Sequence, residues 1–308
     1  MGGGRLGRIG RRAVIGTVVA GAAGALAQAP VFKVDVKLVR MLATVKNAQG
    51  QLVGGLAKED FTVTDNGVAQ EVALFERQTA QPLSVALLVD RSRSTQRERS
   101  YELDAVRRFL RTLLKEGNPA DAAALYSFNY EVTLQADFTR RLERLSAALE
   151  RLKSEGATAL YDAIYLASDE MEHRGGRRVV VVVSDGGDTI SKVDFQRALE
   201  GLQRANAVMY AVLVVPVPGD AGRNLRGENA LIQLTEWTGG KIFFPALGAS
   251  LDQAFEDILR DLRTQYLIGY YPKNVPPSQD RFHRVHLGVK RPGHSVSARN
   301  GYFADALR

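Results

Sequence analysis

Two hydrophobic rhythms alternate along the middle of this chain. Stretches rich in consecutive apolar residues, Leu83–Val89, Asp121–Phe128, Val132–Gln135, Val179–Val183, Val208–Val214 and Lys241–Phe244, predict strands. Between and after them, Glu98–Leu114, Arg141–Leu152, Leu160–His173, Lys192–Arg204, Asn229–Thr238 and Ser250–Thr264 repeat their apolar positions at helical spacing. Strands that stay apolar without alternation are covered on both faces, and strands separated by helices need crossover connections. The predicted fold class is therefore α/β: a doubly wound, mostly parallel sheet.

The flanks follow a different pattern. Val34–Val45 is rich in branched apolar residues, Asn47-Ala48-Gln49-Gly50 is a turn signal, and Phe61–Thr64 runs into Asp65-Asn66-Gly67. Asn-Gly between two alternating segments predicts a tight hairpin, because both turn positions take positive φ. At the other end, Tyr266–Pro272, Phe282–Val289 and Ser295–Arg299 also read as strands, with Pro276-Pro277 in a loop between the first two. Neither flank has enough strands to cover its own apolar face. The expectation is one small β-sandwich assembled from both flanks, with the α/β domain inserted in it; two separate β units are the alternative.

The chemistry concentrates just past the carboxyl ends of two predicted strands, the rim where open α/β sheets bind ligands. Asp90-Arg91-Ser92-Arg93-Ser94 follows the first apolar run, and Ser184-Asp185-Gly186-Gly187-Asp188 follows Val179–Val183. Gly156-Ala157-Thr158 precedes a predicted helix. Carboxylate and hydroxyl oxygens suit hard cations such as Mg²⁺, Mn²⁺ or Ca²⁺. Each residue also has an ordinary explanation: Ser92, Ser94 and Thr158 as helix caps, and Asp185-Gly186-Gly187 as a tight strand-to-helix turn.

As an ordered set, Asp90-x-Ser92-x-Ser94, Thr158 and Asp185 resemble the metal-ion-dependent adhesion site of von Willebrand factor A domains. The flanks resemble the bacterial "VWFA-related" proteins described from Acidobacteria, and the inserted arrangement is similar to the hybrid and I-like domains of integrin β subunits. The resemblance implies a division into residues 1–27 (signal peptide), 28–80 (N-terminal β segment), 81–265 (von Willebrand A domain) and 266–308 (C-terminal β segment). It also implies a metal set of Asp90, Ser92, Ser94, Thr158 and Asp185, with one coordination position left for an Asp or Glu side chain of a partner protein. Asp188 is a candidate further carboxylate behind the ligands, or a solvated turn residue or cap, and Arg91 and Arg93 are a candidate basic rim, or simply charged loop residues.

Charge changes the picture only at the N-terminus. The chain has 41 basic and 34 acidic residues, but Arg5, Arg8, Arg11 and Arg12 lie in an acid-free leader, and 41 less these four leaves 37. With so small and scattered a surplus, nucleic acid is not expected as a partner. The four arginines, the apolar Ala13–Ala27 run and Ala25-Leu26-Ala27 before Gln28 match a cleaved signal peptide. No integral membrane segment is expected after cleavage, and the location expected is periplasmic, cell-surface or secreted. Cysteine is absent, so neither a disulfide framework nor a lipid-bearing cysteine contributes.

No enzyme activity is expected. The chain has no cysteine nucleophile, no Gly-x-Ser-x-Gly elbow and no Walker-type glycine loop. The expected function is an exported, metal-dependent adhesion or assembly module. The alternatives are an envelope scaffold whose metal site has no function and, behind it, a metal-dependent hydrolase using Asp185 or Asp188 as base.

Overall fold

The computed structural model describes residues 37–77, 80–92, 99–153, 156–214, 224–245, 249–276 and 278–307. Its centre is a six-stranded sheet of β5 (Leu83–Asp90), β6 (Ala122–Phe128), β7 (Val132–Thr139), β8 (Arg177–Ser184), β9 (Ala207–Leu213) and β10 (Lys241–Phe243), in the order β10-β9-β8-β5-β6-β7. All neighbours are parallel except β6 and β7. The exception follows from connection length, since Asn129–Glu131 is too short for a parallel crossover.

Side-chain alternation divides this sheet between two cores. Val85, Leu87 and Val89 of β5, with Val179, Val181 and Val183 of β8, pack against α1 (Arg99–Glu116), α2 (Leu142–Glu150) and α6 (Ala249–Thr264). Ala86 and Leu88, with Val180 and Val182, pack against α3 (Leu160–Met171), α4 (Phe195–Arg204) and α5 (Leu225–Thr238). Every residue of β5 is buried. A strand covered on both faces reads as a continuous apolar run, which is how it was recognisable in the sequence.

Helix starts deviate where caps override periodicity. Asp194 accepts from Arg197 N at 2.8 Å, so α4 begins at Phe195 rather than Lys192. Asn224 accepts from Gly227 N at 3.0 Å, which starts α5 at Leu225, four residues before the apolar pattern becomes visible.

The flanking segments form one β-sandwich. One sheet orders β13 (Ser295–Ala298), β1 (Val39–Lys46), β11 (Tyr266–Tyr270) and β4 (Val72–Glu76); the other orders β14 (Gly301–Phe303), β12 (Phe282–Val289), β2 (Phe61–Asp65) and β3 (Val68–Gln70). Each sheet combines strands from both ends of the chain, alternating in the first and paired two by two in the second, so neither flank is a β domain by itself. The Asn66-Gly67 turn has the positive φ values, 46° and 82°, that a two-residue hairpin demands. Phe61, Phe75 and Tyr266 cluster between the sheets, with ring centroids 5.2–5.9 Å apart. Among the described residues no helix is long and apolar enough to cross a membrane.

The sandwich core holds one buried carboxylate. Asp65, wholly buried on β2, accepts from the hydroxyls of Tyr270 and Tyr302 at 2.8 Å each and lies 3.1 Å from His283 Nδ1. Tyr270 stands on the opposite sheet, so this cluster fastens the two layers together. His283 stacks on Tyr302 with ring centroids 4.9 Å apart, which gives this histidine a packing role. Asp65→Ala leaves the buried hydroxyls of Tyr270 and Tyr302 without their carboxylate acceptor. The expected loss is at least about 3 kcal/mol of stability in urea denaturation, with a larger effect than removal of an exposed carboxylate.

Candidate functional site

The doubly wound order reverses between β5 and β8. From β5 the chain crosses to β6 on one side, whereas β8, β9 and β10 build out on the other. At such a switch point the loops leaving the carboxyl ends of adjacent strands diverge and open a crevice. Val89 is in register with Val183, so the next residue on each strand, Asp90 and Ser184, stand side by side. Their side chains meet: Ser184 Oγ donates to Asp90 Oδ2 at 2.5 Å.

Asp90 is 2% exposed. Its other oxygen accepts from Ser92 N at 2.8 Å, which curls the chain directly after β5 and brings the Ser92 hydroxyl to the same carboxylate. Burial pushes the Asp90 carboxyl up to about 6. The hydrogen bonds from Ser184 and Ser92 oppose the rise, and the charge of neighbouring Asp185 adds to it. Asp185 is half-buried and accepts from Gly187 N at 2.9 Å, an Asx turn that leads the loop away from β8.

Two glycines let this loop pass the first turn of α5. Gly186 has φ +83°, and a Cβ built on Gly227 would stand 1.7 Å from the Gly186 carbonyl oxygen. Backbone therefore packs on backbone, and any side chain at Gly227 displaces the loop that carries Asp185.

Thr158 comes to the same rim by a different route. It is 5% exposed, and its amide donates to Thr189 Oγ1 at 2.9 Å while its carbonyl accepts from Thr189 N at 2.9 Å. The β8–α4 loop thus grips the residues before α3. Asp188 completes the grip: Oδ1 accepts from Leu160 N at 2.9 Å, Tyr161 N at 3.3 Å and Ser191 Oγ at 2.5 Å. In return Asp162 Oδ1 accepts from Lys192 N and Val193 N at 2.9 Å each.

Of the residues singled out in the sequence, the structure brings Asp90, Ser92 and Asp185 together at the carboxyl edge of β5 and β8, and ties Thr158 to the loop after β8 through Thr189. Ser94 and Arg93 lie outside the described residues. Asp188 is the remote cap of α3; it holds Thr158's loop in place, and Thr158 itself is not the cap. Arg91 departs from the rim expectation. It is 3% exposed, because its amide continues the sheet by bonding Phe128 O at 2.8 Å and draws the residue inward.

Ser184 is the participant that sequence reasoning did not assign. It positions Asp90 and also accepts from Gly186 N at 3.0 Å. The signal available was its place as the first polar residue after an unbroken valine run. Among the described residues no three His, Cys, Asp or Glu side chains cluster as a metal group. The oxygen donors here are two carboxylates and several hydroxyls. That donor set fits a hard divalent cation, and the buried Asp90 charge, resisted by burial and by Asp185, is the feature a cation would neutralise.

In metal-free protein the Asp90 shift has a definite sign. Below the usual carboxylate range Asp90 is protonated folded and unfolded alike, so it contributes nothing. As pH rises through about 4 to 6 the unfolded chain ionises first, and the folded state loses stability relative to it. Above pH 6 the cost is on the order of 3 kcal/mol. Asp90→Asn, measured by urea denaturation in chelator, is expected to be more stable than wild type at pH 7, with the difference shrinking to near zero at pH 3.5.

The sequence over residues 85–187 matches the family model of the von Willebrand factor type A domain. Comparison with curated proteins returns no match. Among solved structures, the chain is similar to the vWF domain of the type V pili tip protein Mfa5 from Porphyromonas gingivalis: 14% identity, TM-score 0.50, covering 59% of this chain and 95% of that one. It is also similar to an aerotolerance-related membrane protein from Bacteroides fragilis, at 18% identity and TM-score 0.46 over 58% of this chain and 98% of that one. The pilus adhesin SpaC from Lactobacillus rhamnosus GG, in its open conformation, covers 78% of this chain with 47% of its own length, at 8% identity and TM-score 0.49. Identities this low speak to fold alone. The matched stretch, residues 85–187, carries Asp90, Ser92, Thr158 and Asp185, and it is this part of the chain that is similar to the von Willebrand factor type A domain.

Proposed function

We propose that this protein is an exported binding module whose von Willebrand A domain grips an acidic side chain of a partner protein through a divalent cation, Mg²⁺, Mn²⁺ or Ca²⁺. The observation that carries the reading is the buried Asp90 carboxylate, set among the hydroxyls of Ser184 and Ser92 and facing Asp185. Burying such a group costs several kcal/mol unless an opposite charge compensates it. Asp90, Ser92, Thr158 and Asp185, with Ser94 from the sequence pattern, would hold the ion.

When bound, the cation supplies a concentrated positive charge with an open position for one further oxygen ligand. The chain's own residues do the rest. Ser184 holds Asp90 in one orientation, the Gly186–Gly227 contact sets the height of Asp185, and Asp188 fixes the loop that presents Thr158. Exposed Tyr130 and Ile190, on loops adjoining the same edge, offer apolar contact area to a protein partner.

Binding rather than catalysis is favoured by what surrounds these oxygens. The described histidines serve elsewhere: His283 packs in the sandwich, His286 and His294 lie on the sandwich segments, and His173 follows α3 at the far edge of the sheet. A base for hydrolysis would have to be Asp185, which is engaged by Gly187. Export is supported by the arginine-rich, apolar N-terminal segment. The printed descriptions of a pilus tip protein and a pilus adhesin among the similar structures accord with a surface role.

The test is calorimetric titration of Mg²⁺ and Mn²⁺ into the mature chain beside Asp90→Ala and Thr158→Ala, with folding checked by circular dichroism. Saturable binding by wild type, weakened about tenfold or more in folded variants, is the expected result. Absence of binding by wild type, with and without an acidic peptide present, would favour a scaffold over an adhesion site.

A further inference from the structure

A cavity lies at the opposite end of the central sheet. Arg177 opens β8 and Ser184 closes it, so this end is roughly 25 Å from Asp90 along the strand. Here a cavity of about 410 Å³ is walled by the sandwich on one side and by the amino ends of the parallel strands on the other. Its volume falls within the range that holds small organic ligands. Five of its lining residues are arginines: Arg40, Arg177, Arg178, Arg204 and Arg299.

The most buried of these arginines, Arg177 and Arg299, are held by backbone carbonyls, with the charge of Asp121 also felt at Arg177. Arg299 is 8% exposed. It donates to the Arg40 carbonyl at 2.7 Å and lies over Tyr302 at 5.7 Å, while its buried Nε has no partner. Arg177, equally buried, donates to the carbonyls of Gln81 and Leu262. Arg178 donates to the carbonyls of Arg174 and Ala205. Arg204 bonds Asp305 at 3.1 Å and Glu200 at 2.8 Å, and Asp305 is shared with Arg281 at 3.7 Å. Glu172 is the other acid of the lining.

Burial lowers both Arg177 and Arg299, the latter to about 10, and each remains a cation at neutral pH. Folding therefore holds buried guanidinium groups against backbone carbonyls at the edge of an open space, an arrangement that costs stability until an anion arrives. The guanidinium fork matches the paired oxygens of carboxylate and phosphate groups.

We infer that this cavity is a binding site for a small oxyanion ligand, a phosphate or carboxylate compound, held by Arg299, Arg177, Arg178 and Arg40. The lining comes from β1, β8, the end of α4 and the segment joining β13 to β14, so the ligand braces the sandwich against the α/β domain. It is independent of any metal at Asp90.

Calorimetry and thermal unfolding of the full chain, titrated with inorganic phosphate and separately with citrate at ionic strength held constant by chloride, test the site. Saturable one-to-one binding and a concentration-dependent rise in Tm are expected for at least one of the two. Arg299→Gln and Arg40→Gln should each weaken it by about tenfold or more. Arg226→Gln, which removes a charge at the metal end of the sheet, should leave it unchanged. Response to phosphate alone identifies a phosphate ester as the ligand class; response to citrate alone identifies a carboxylate. If neither binds saturably, or if Arg226→Gln weakens binding as much as Arg40→Gln, the site does not exist. Should Arg299→Gln fail to fold, undiminished binding by both Arg40→Gln and Arg178→Gln would equally overturn it.

Discussion

Strand β5 is buried along its whole length, and its last residue is an aspartate. That conjunction governs the α/β domain. A carboxylate at the end of an internal strand cannot reach bulk water, so the fold must bring hydroxyls and amides to it or keep it protonated. Ser184 arrives because β8 pairs with β5 in register; Ser92 arrives because the chain turns at once after Asp90. Asp185 then comes close enough to oppose the charge. The surroundings satisfy the geometry of Asp90 without satisfying its electrostatics, because burial and Asp185 both oppose its charge.

The loops around Asp90 depend on one another more than on their own sequences. Asp188 caps α3 from the loop after β8, Asp162 of α3 fastens that loop in return, and Gly186 lies against Gly227 of α5. Three connections thus share one rigid seam, which is what holding oxygen donors from separate segments requires.

How much was legible in the sequence follows from the range of each interaction. Continuous apolar runs disclosed the covered strands, and Asn66-Gly67 disclosed its hairpin, because both are local consequences of residue type. The proximity of Asp90, Ser92 and Asp185 was legible because strand ends mark where these residues fall. Arg91 looked like a rim residue, since nothing local announces that its amide extends the ladder to Phe128. The role of Asp188 was hidden for a similar reason, as its partners Leu160 and Tyr161 lie 28 and 27 positions away. The start of α5 was obscured by Gly227, whose lack of a side chain serves packing and erases the helical pattern. The arginine cavity draws on segments from residue 38 to residue 307, and no stretch of sequence displays it.

The interleaving of the sandwich has a consequence for how the molecule comes into being. Val39 pairs with Tyr270 and Ala43 with Ala298, so the first strand described remains without neighbours until the polypeptide has passed through the entire inserted domain. Those pairings have high contact order and are costly to close through an unstructured chain. Once the inserted domain has folded, α6 leads into β11 through the single residue Gln265, and the distance the two flanks must search collapses. The topology therefore favours assembly from the middle outward, with the inserted α/β domain as the template on which the two ends of the chain find each other.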